Sequence, residues 1–138
     1  MIKAKSGDLW VIRFQDGEKL PQGLVDLGIT SAAILGAVGM LRDLVLAYWD
    51  GERYLEEPVA EPVELLSLLG NLGEKEGEAI VHAHVAAAKR GGAVVGGHLL
   101  SATVHNTVEL ILHELPGVRL LRRPEPSGLA GLYPEGGG

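Results

Sequence analysis

Three histidines carry the clearest chemical signal in the sequence. His82 and His84 are separated by one residue in an apolar segment with a strand pattern, and His98 follows a glycine-rich stretch. Successive side chains of a strand alternate between faces, so His82 and His84 point the same way, with Cα atoms about 6.5–7 Å apart. Two such imidazoles can converge on one ion, since Zn–N distances are about 2.0–2.1 Å. The spacing predicts a metal site formed by His82, His84 and His98, with zinc or another divalent metal as its cofactor.

The length of the turn between these two segments decides whether His98 joins the site. A two-residue turn at Arg90-Gly91 would turn His98 to the opposite face of the sheet from His84. A three-residue loop over residues 90–92 would place His98 directly opposite His84, and a bulge at Gly96-Gly97 would have the same effect. Glycines occur at both points, so the sequence leaves these arrangements open.

Three histidine ligands leave a fourth coordination position open, which is the arrangement of catalytic rather than closed structural zinc sites. A water, a substrate or a carboxylate can fill it, and Glu109 is the carboxylate that its strand and face favour. His105 and His113 are expected on a solvated or interfacial face, outside the metal site. The chain contains no phosphate-binding loop, dinucleotide fingerprint or Gly-x-Ser-x-Gly elbow, so the catalytic residues stay unknown and no nucleotide cofactor is predicted.

Composition limits the classes of protein to which the chain can belong. Its 138 residues suit a single domain, and with 46% hydrophobic but only 4% aromatic residues the core must consist mainly of Leu, Val, Ala and Ile. The absence of cysteine excludes disulfides and thiolate metal ligands. A net charge of −6 disfavours binding to phosphate backbones. The basic cluster of Arg119, Arg122 and Arg123 is therefore interpreted as a solvated strand end or loop rather than a nucleic-acid patch.

The N-terminus lacks the apolar region of a signal peptide. No uninterrupted apolar run approaches the ~20 residues that a membrane span needs. We therefore expect a cytoplasmic protein without a membrane partner.

Most segments show strand patterns. Apolar runs bounded by glycine, proline or aspartate predict strands at residues 8–15, 29–40, 43–49, 78–87, 93–100 and 102–115. Asp50-Gly51 predicts a two-residue hairpin turn, residues 70–77 read as a turn-rich loop, and residues 63–72 fit either a buried strand or one or two helical turns. A short helix is predicted over residues 20–27, with Pro21 near its start and Gly28 as its C-cap.

These elements predict an α+β fold, a largely antiparallel sheet with one or two short helices packed on it. Residues 1–123 are expected to form a single domain. Residues 124–138, which contain Pro, Gly and Ser, are expected to form a loose C-terminal tail. The small-residue apolar stretches 32–40 and 83–88 can line either the core or a flat subunit interface, and the core is the simpler interpretation of each.

Several segments in a fixed order carry a family resemblance. They are Gly-Glu-Ala-Ile-Val-His-Ala-His-Val-Ala from Gly77, Gly-Ala-Val-Val-Gly-Gly-His-Leu-Leu-Ser-Ala-Thr-Val from Gly92 and Thr-Val-Glu-Leu-Ile-Leu from Thr107. Val-Glu-Leu-Leu-Ser-Leu-Leu-Gly-Asn from Val63 precedes them. This combination resembles the plant- and prokaryote-conserved (PPC) domain family, also called the domain of unknown function 296 family, over nearly the whole chain.

The resemblance implies an α+β fold, a homotrimer as the usual assembly, and a metal site at His82, His84 and His98 near a subunit boundary. Plant members of the family join this domain to an AT-hook, whose Arg-Gly-Arg-Pro core reads the DNA minor groove. Arg122-Arg123-Pro124 lacks the glycine of that core, so direct DNA binding does not carry over.

Two functional hypotheses follow. The chain is either a trimeric interaction module with a regulatory protein partner, or a metal-dependent enzyme on an unknown small substrate in which Glu109 or a bound water does acid–base work. Sequence-specific DNA binding is a third and weaker hypothesis.

Overall fold

A computed structural model describes residues 1–137 as one ten-stranded sheet with a single short helix. The strands are β1 (Ile2–Ser6), β2 (Leu9–Gln15), β3 (Lys19–Leu20), β4 (Ala32–Trp49), β5 (Tyr54–Val59), β6 (Val63–Lys75), β7 (Glu78–Ala88), β8 (Val94–Glu114), β9 (Val118–Pro124) and β10 (Ala130–Gly136), and the helix is α1 (Gln22–Val25). Among these residues, no helix is long and apolar enough to cross a bilayer.

The predicted α+β class is wrong, because strands account for 71% of the structure and helix for only 3%, which makes the fold mostly β. The helix predicted over residues 20–27 shortens to one turn, α1, whose single fully buried side chain is Leu24. The C-cap is Asp26 rather than the predicted Gly28, and Gly28, with a φ of +71°, lies in the turn that follows the helix. Residues 63–72, which also fitted a helix, belong to β6 because they find partners on both sides in the sheet.

Two strands are much longer than predicted. Residues 29–40 and 43–49 merge into β4, and residues 93–100 and 102–115 merge into β8. The β4–β8 pairing contains several register shifts, among them those between Gly39 and Leu41 and between Arg42 and Val45, so the strands pass the predicted breaks through bulges instead of ending there. The expected loop at 70–77 is likewise mostly strand, with β6 continuing to Lys75 before a tight turn.

The Asp50-Gly51 dipeptide lies in a turn, as predicted, but that turn is longer than two residues. Trp49 pairs with Tyr54, so residues 50–53 connect β4 to the antiparallel β5. The Asp50 carboxylate accepts hydrogen bonds from the backbone N–H groups of Glu52 and Arg53 at 2.8 and 2.9 Å. These bonds stabilise a four-residue connection.

The sheet curls on itself around its core. Neighbouring strands follow the order β1-β2-β8-β4-β6-β9-β10, and β7 pairs with both β6 and β8, so β4, β6, β7 and β8 form a closed circuit of pairings. The largest fully buried side chains are Leu, Ile and Val together with Phe14. The expectation of an aliphatic core is confirmed.

The segment expected to be a loose tail contains ordered structure. Its residues 130–136 form β10, which pairs antiparallel with β9 from Ala130 opposite Pro124 to Gly136 opposite Val118. Salt bridges from Arg119 and Arg123 to Glu135 join the same two strands. Gly138, the last residue of the predicted tail, lies outside the described residues.

Candidate metal centre

The loop between β7 and β8 sets the register on which the histidine cluster depends. The N–H of Lys89 donates to the carbonyl of Ala93 at 2.8 Å, which leaves residues 90–92 as a three-residue loop. Gly91 and Gly92 have φ values of +90° and +92°, a backbone region that favours glycine. His84 consequently lies directly opposite His98. Of the arrangements that the sequence left open, the three-residue loop is the one that forms.

The three predicted histidines converge. Each of His82, His84 and His98 offers a ring nitrogen within 4.8 Å of the other two, and the Nε2 atoms of His82 and His84 are 3.3 Å apart. Two nitrogens bound to one tetrahedral zinc at about 2.0–2.1 Å would be separated by roughly 3.3–3.4 Å. The cluster therefore has the donor type that a divalent ion needs, and its His82–His84 pair already has the nitrogen separation of a tetrahedral zinc site.

Burial favours the neutral, metal-binding form of two of these rings. Partial burial lowers the pKa of His82, with smaller contributions from the Arg122 guanidinium and from the other two histidines. Burial also lowers the pKa of His98, and His84 adds to the effect. His98 Nδ1 is buried and has no hydrogen-bond partner among residues 1–137. An unprotonated imidazole with an unsatisfied nitrogen fits a metal ligand.

Aromatic side chains from β4 and β5 support the His98 ring. Tyr54 stacks on His98 with ring centroids 5.2 Å apart and an interplanar angle of 27°, and Trp49 contacts Tyr54 edge-on at 5.2 Å. Sequence reasoning missed Tyr54 because it follows a loop far from the histidines in the chain. Its only local signal was its place beside Trp49 in the predicted hairpin.

An arginine from β9 reaches the other side of the cluster. Arg122 Nη2 donates to Asn71 Oδ1 at 2.7 Å and lies 3.3 Å from His82 Nδ1. Asn71 pairs directly with His82 across β6 and β7, so its side chain is placed on the same face. The expectation that all three arginines lie at a solvated strand end is thus wrong for Arg122, which is partly buried against the histidines.

A cleft of about 320 Å³ opens beside the cluster. His82, His98, Tyr54 and Arg122 form its polar and aromatic wall, and the rest is aliphatic or backbone from β7 and from the connection into β10. No aspartate or glutamate lines this cleft among the described residues. The cleft is large enough for a small molecule to reach the histidines.

Glu109 does not belong to the site. Its side chain is exposed on β8, where it pairs with Arg13 on one side and Val38 on the other and lines a different groove. His105 and His113 also lie outside the cluster, and His105 Nδ1 instead lies 3.1 Å from Arg42 Nη1. No carboxylate joins the three histidines within residues 1–137, so the described residues would hold an ion through three imidazoles, two of which, His82 and His98, line the cleft.

A second surface, which we call the apolar face, continues from the histidines along the same side of the sheet. Leu69 lies directly opposite His84, and paired residues of neighbouring strands project to one face. From there a shallow groove of about 580 Å³ extends across β6, β4, β8 and β2. Its exposed large apolar side chains, each between 37 and 56% accessible, are Val11, Leu35, Val38, Leu66, Leu69 and Ile111, and the exposed Glu109 also lines it.

Comparison with known proteins identifies related sequences. The sequence model of the Plants and Prokaryotes Conserved (PCC) domain matches residues 1–116. The chain is also 31% identical over 126 residues to the bifunctional protein GlmU of Synechococcus sp. strain JA-2-3B'a(2-13). That alignment covers 86% of this chain but 19% of GlmU, so the chain spans about a fifth of the length of this curated relative.

Solved structures share the whole fold. A plant- and prokaryote-conserved protein of Pyrococcus horikoshii is 34% identical, with a TM-score of 0.86 and 92% of each chain covered. A metal-containing protein of Archaeoglobus fulgidus is 30% identical, with a TM-score of 0.83 over 96% of this chain and 99% of that one. A candidate DNA-binding protein of Bacteroides thetaiotaomicron has a TM-score of 0.88 over 96% of both chains, but at 22% identity it shows the fold alone.

Proposed function

The chain belongs to the Plants and Prokaryotes Conserved domain family, and from that premise we propose that it is a homotrimeric module that binds a divalent metal ion through His82, His84 and His98. The observation that carries the proposal is the convergence of three imidazoles from β7 and β8 on one point. Zinc is the first candidate, because three imidazole nitrogens are donors that suit it and the His82–His84 nitrogen separation fits its tetrahedral geometry. The similarity to the metal-containing A. fulgidus protein supports the metal-binding part of the proposal.

The apolar face supports the trimer part of the proposal. Six large apolar side chains that are a third to more than half exposed form one continuous groove. Contiguous apolar surface of this kind is the usual mark of a binding surface. A second copy of this chain is the occupant that the family resemblance implies. Because Leu69 adjoins His84, a partner seated on this face would lie next to the metal site.

A metal-dependent enzyme is the second candidate function, and the cleft beside the histidines favours it. With three protein ligands, a bound ion keeps a position for water or substrate, and such an ion supplies Lewis acidity or a more acidic water. The residues of this chain would hold the ion and shape the cleft. Glu109 lines the apolar groove instead of this cleft, so within one chain it is not placed to act as the acid–base group.

Direct DNA binding is not part of the proposal. The net charge is −6, and the arginine cluster on β9 is largely neutralised within the protein. Arg119 pairs with Glu74, and both Arg119 and Arg123 pair with Glu135. A regulatory role through a protein partner stays compatible with the exposed apolar face.

Metal analysis of protein purified without a histidine tag tests the proposal. We expect one zinc per chain for the wild type and for His105→Ala, which removes a histidine outside the cluster. His84→Ala should bind zinc at least about 100-fold more weakly, because it removes one of three ligands and each supplies a large share of the binding free energy. Substoichiometric metal that is unchanged in His84→Ala would remove the metal-binding function.

A further inference from the structure

The arginine cluster on β9 divides into two faces with different surroundings. Arg119 and Arg123 lie on one face of the strand and form ion pairs with glutamates. Leu120 and Arg122 alternate with them on the other face, where Leu120 is buried. None of the ion pairs found within residues 1–137 includes Arg122, although it is the arginine nearest to the histidines.

The hydrogen bonds of Arg122 leave donors free. Both of its contacts, to Asn71 Oδ1 and to His82 Nδ1, use Nη2. Within the described part of the chain, Nε and Nη1 have no acceptor, and neither is buried. A guanidinium presents five N–H donors and stays protonated at neutral pH. Arg122 therefore offers a charged, partly fixed fork at the wall of the cleft.

The charge around the metal position is unbalanced. A divalent ion on three neutral imidazoles would place two positive charges beside Arg122, giving a local charge of +3. No carboxylate lines the cleft within residues 1–137. Concentrated positive charge at the wall of a cleft that small is neutralised most effectively by an anion that reaches both cations.

Metal binding would also remove the hydrogen-bond acceptor that His82 Nδ1 presents to Arg122. Without metal, the position of Nδ1 lets it accept a hydrogen bond from Nη2. A neutral His82 that gives Nε2 to a metal carries its proton on Nδ1, which then cannot accept from Arg122. The N–H released in this way is free to donate to an oxygen of a bound anion, while Nη2 keeps its bond to Asn71.

We propose that Arg122 and the metal position together form an oxyanion-binding site for a small carboxylate or phosphate ligand in the cleft. The inference rests on the proposed metal site and names the ligand class for it. One oxygen would occupy the open coordination position, and another would accept from Arg122. The aliphatic part of the cleft would contact the body of the ligand.

The test uses untagged protein loaded with Co²⁺, whose visible absorption reports changes in the ligands of the metal. Inorganic phosphate and acetate are titrated separately at constant ionic strength, and the two arms distinguish the two oxyanions. We expect a saturable change with at least one anion. Arg122→Gln should weaken the binding of that anion about tenfold or more, and Arg122→Lys should show an intermediate loss of affinity.

Arg123→Gln is the matched control, since Arg123 lies next in the chain but on the opposite face of β9, and it should bind the anion like the wild type. Co²⁺ affinity should change little in both glutamine variants. An anion affinity that is equal in Arg122→Gln and the wild type would overturn the inference, as would a wild-type spectrum that neither anion changes. Failure of Co²⁺ to bind at all would instead overturn the metal site itself, and the oxyanion site with it.

Discussion

His84 lies directly opposite His98 in the antiparallel pair of β7 and β8. This pairing depends on the three-residue loop of residues 90–92, because a shift of one residue moves every side chain of a strand to the other face. Deletion of Gly92 should therefore break the cluster. We expect loss of zinc stoichiometry together with lower stability, measured by metal analysis and denaturant unfolding.

Insertion of one glycine between Gly91 and Gly92 is the control for that deletion. Four-residue hairpin loops are common, and a longer loop can preserve the pairing of the strands behind it. The insertion variant should keep its zinc. Retention of full zinc binding by the deletion variant would show that the register does not control the site.

Tyr54 should act as a positioning residue for His98, since the two rings stack. Removal of the ring in Tyr54→Ala leaves His98 without its support, and we expect a zinc affinity roughly tenfold lower, in the range of other outer partners of metal ligands. Tyr54→Phe keeps the ring and should bind zinc like the wild type. A competition titration with a chromophoric chelator measures both, and equal losses in the two variants would assign the effect to the hydroxyl group instead.

The part of the site that sequence could predict is the part that local rules determine. Alternation along β7 places His82 and His84 together, and counting through one short loop gives the alternatives for His98. Arg122 and Tyr54 arrive from strands whose pairing is set by the fold as a whole, so no local spacing indicates them. Glu109 was misplaced because eleven residues of strand after His98 extend roughly 30 Å or more, and the β4–β8 pairing passes several register shifts on the way.

The prediction of an α+β fold was wrong for a related reason. Apolar runs such as residues 63–72 satisfy both a strand and a short helix, and only the presence of partners on both sides selects the strand. The predicted breaks at residues 41–42 and at Ser101 do not end strands, because β4 and β8 continue through register shifts in their pairing at these points. Composition, in contrast, predicted the aliphatic core correctly because it does not depend on which segments pair.

The metal-free protein should lose stability as the pH falls from about 6.5 towards 4.5. The pKa values of His82 and His98 are lowered in the folded state, whereas in the unfolded chain both rings bind protons once the pH falls below about 6.5. The two histidines thus contribute fully to the free energy of unfolding above pH 6.5. This contribution is lost as the pH falls through their pKa values in the folded state.

Denaturant unfolding at several pH values and one fixed protein concentration, with a chelator present, checks this pH dependence. Lowered pKa values of Asp16, Asp50 and Glu114 affect stability only below about pH 4.5, so the two effects separate. The double variant His82→Gln/His98→Gln should show a flatter profile between pH 4.5 and 6.5. A slope in that range that persists in the double variant would assign it to other groups.

The apolar face should control assembly. Leu35→Glu places a charge in the middle of an exposed apolar groove, and burial of an unpaired charge against a second copy is strongly unfavourable. Light scattering should report three times the chain mass for the wild type and a smaller mass for the variant. Val94→Glu, an exposed side chain outside the groove, should assemble like the wild type, and a strictly monomeric wild type at micromolar concentration would contradict the trimer.

Gly70 should be needed for the close approach of β6 and β7 behind the metal site. A Cβ at this position would collide with the carbonyl oxygen of His82 and the Cα of Ala83, which are backbone atoms that cannot rotate away. Gly70→Ala should therefore lower the free energy of unfolding by roughly 1–3 kcal/mol or more. It should also weaken zinc binding, because relief of the clash moves the backbone of His82.

Gly36→Ala, where a Cβ meets no atom within 4 Å, is the matched control and should change neither property. Thermal unfolding and zinc titration of both variants decide the point, and an unaffected Gly70→Ala protein would mean that the two strands are not held this close.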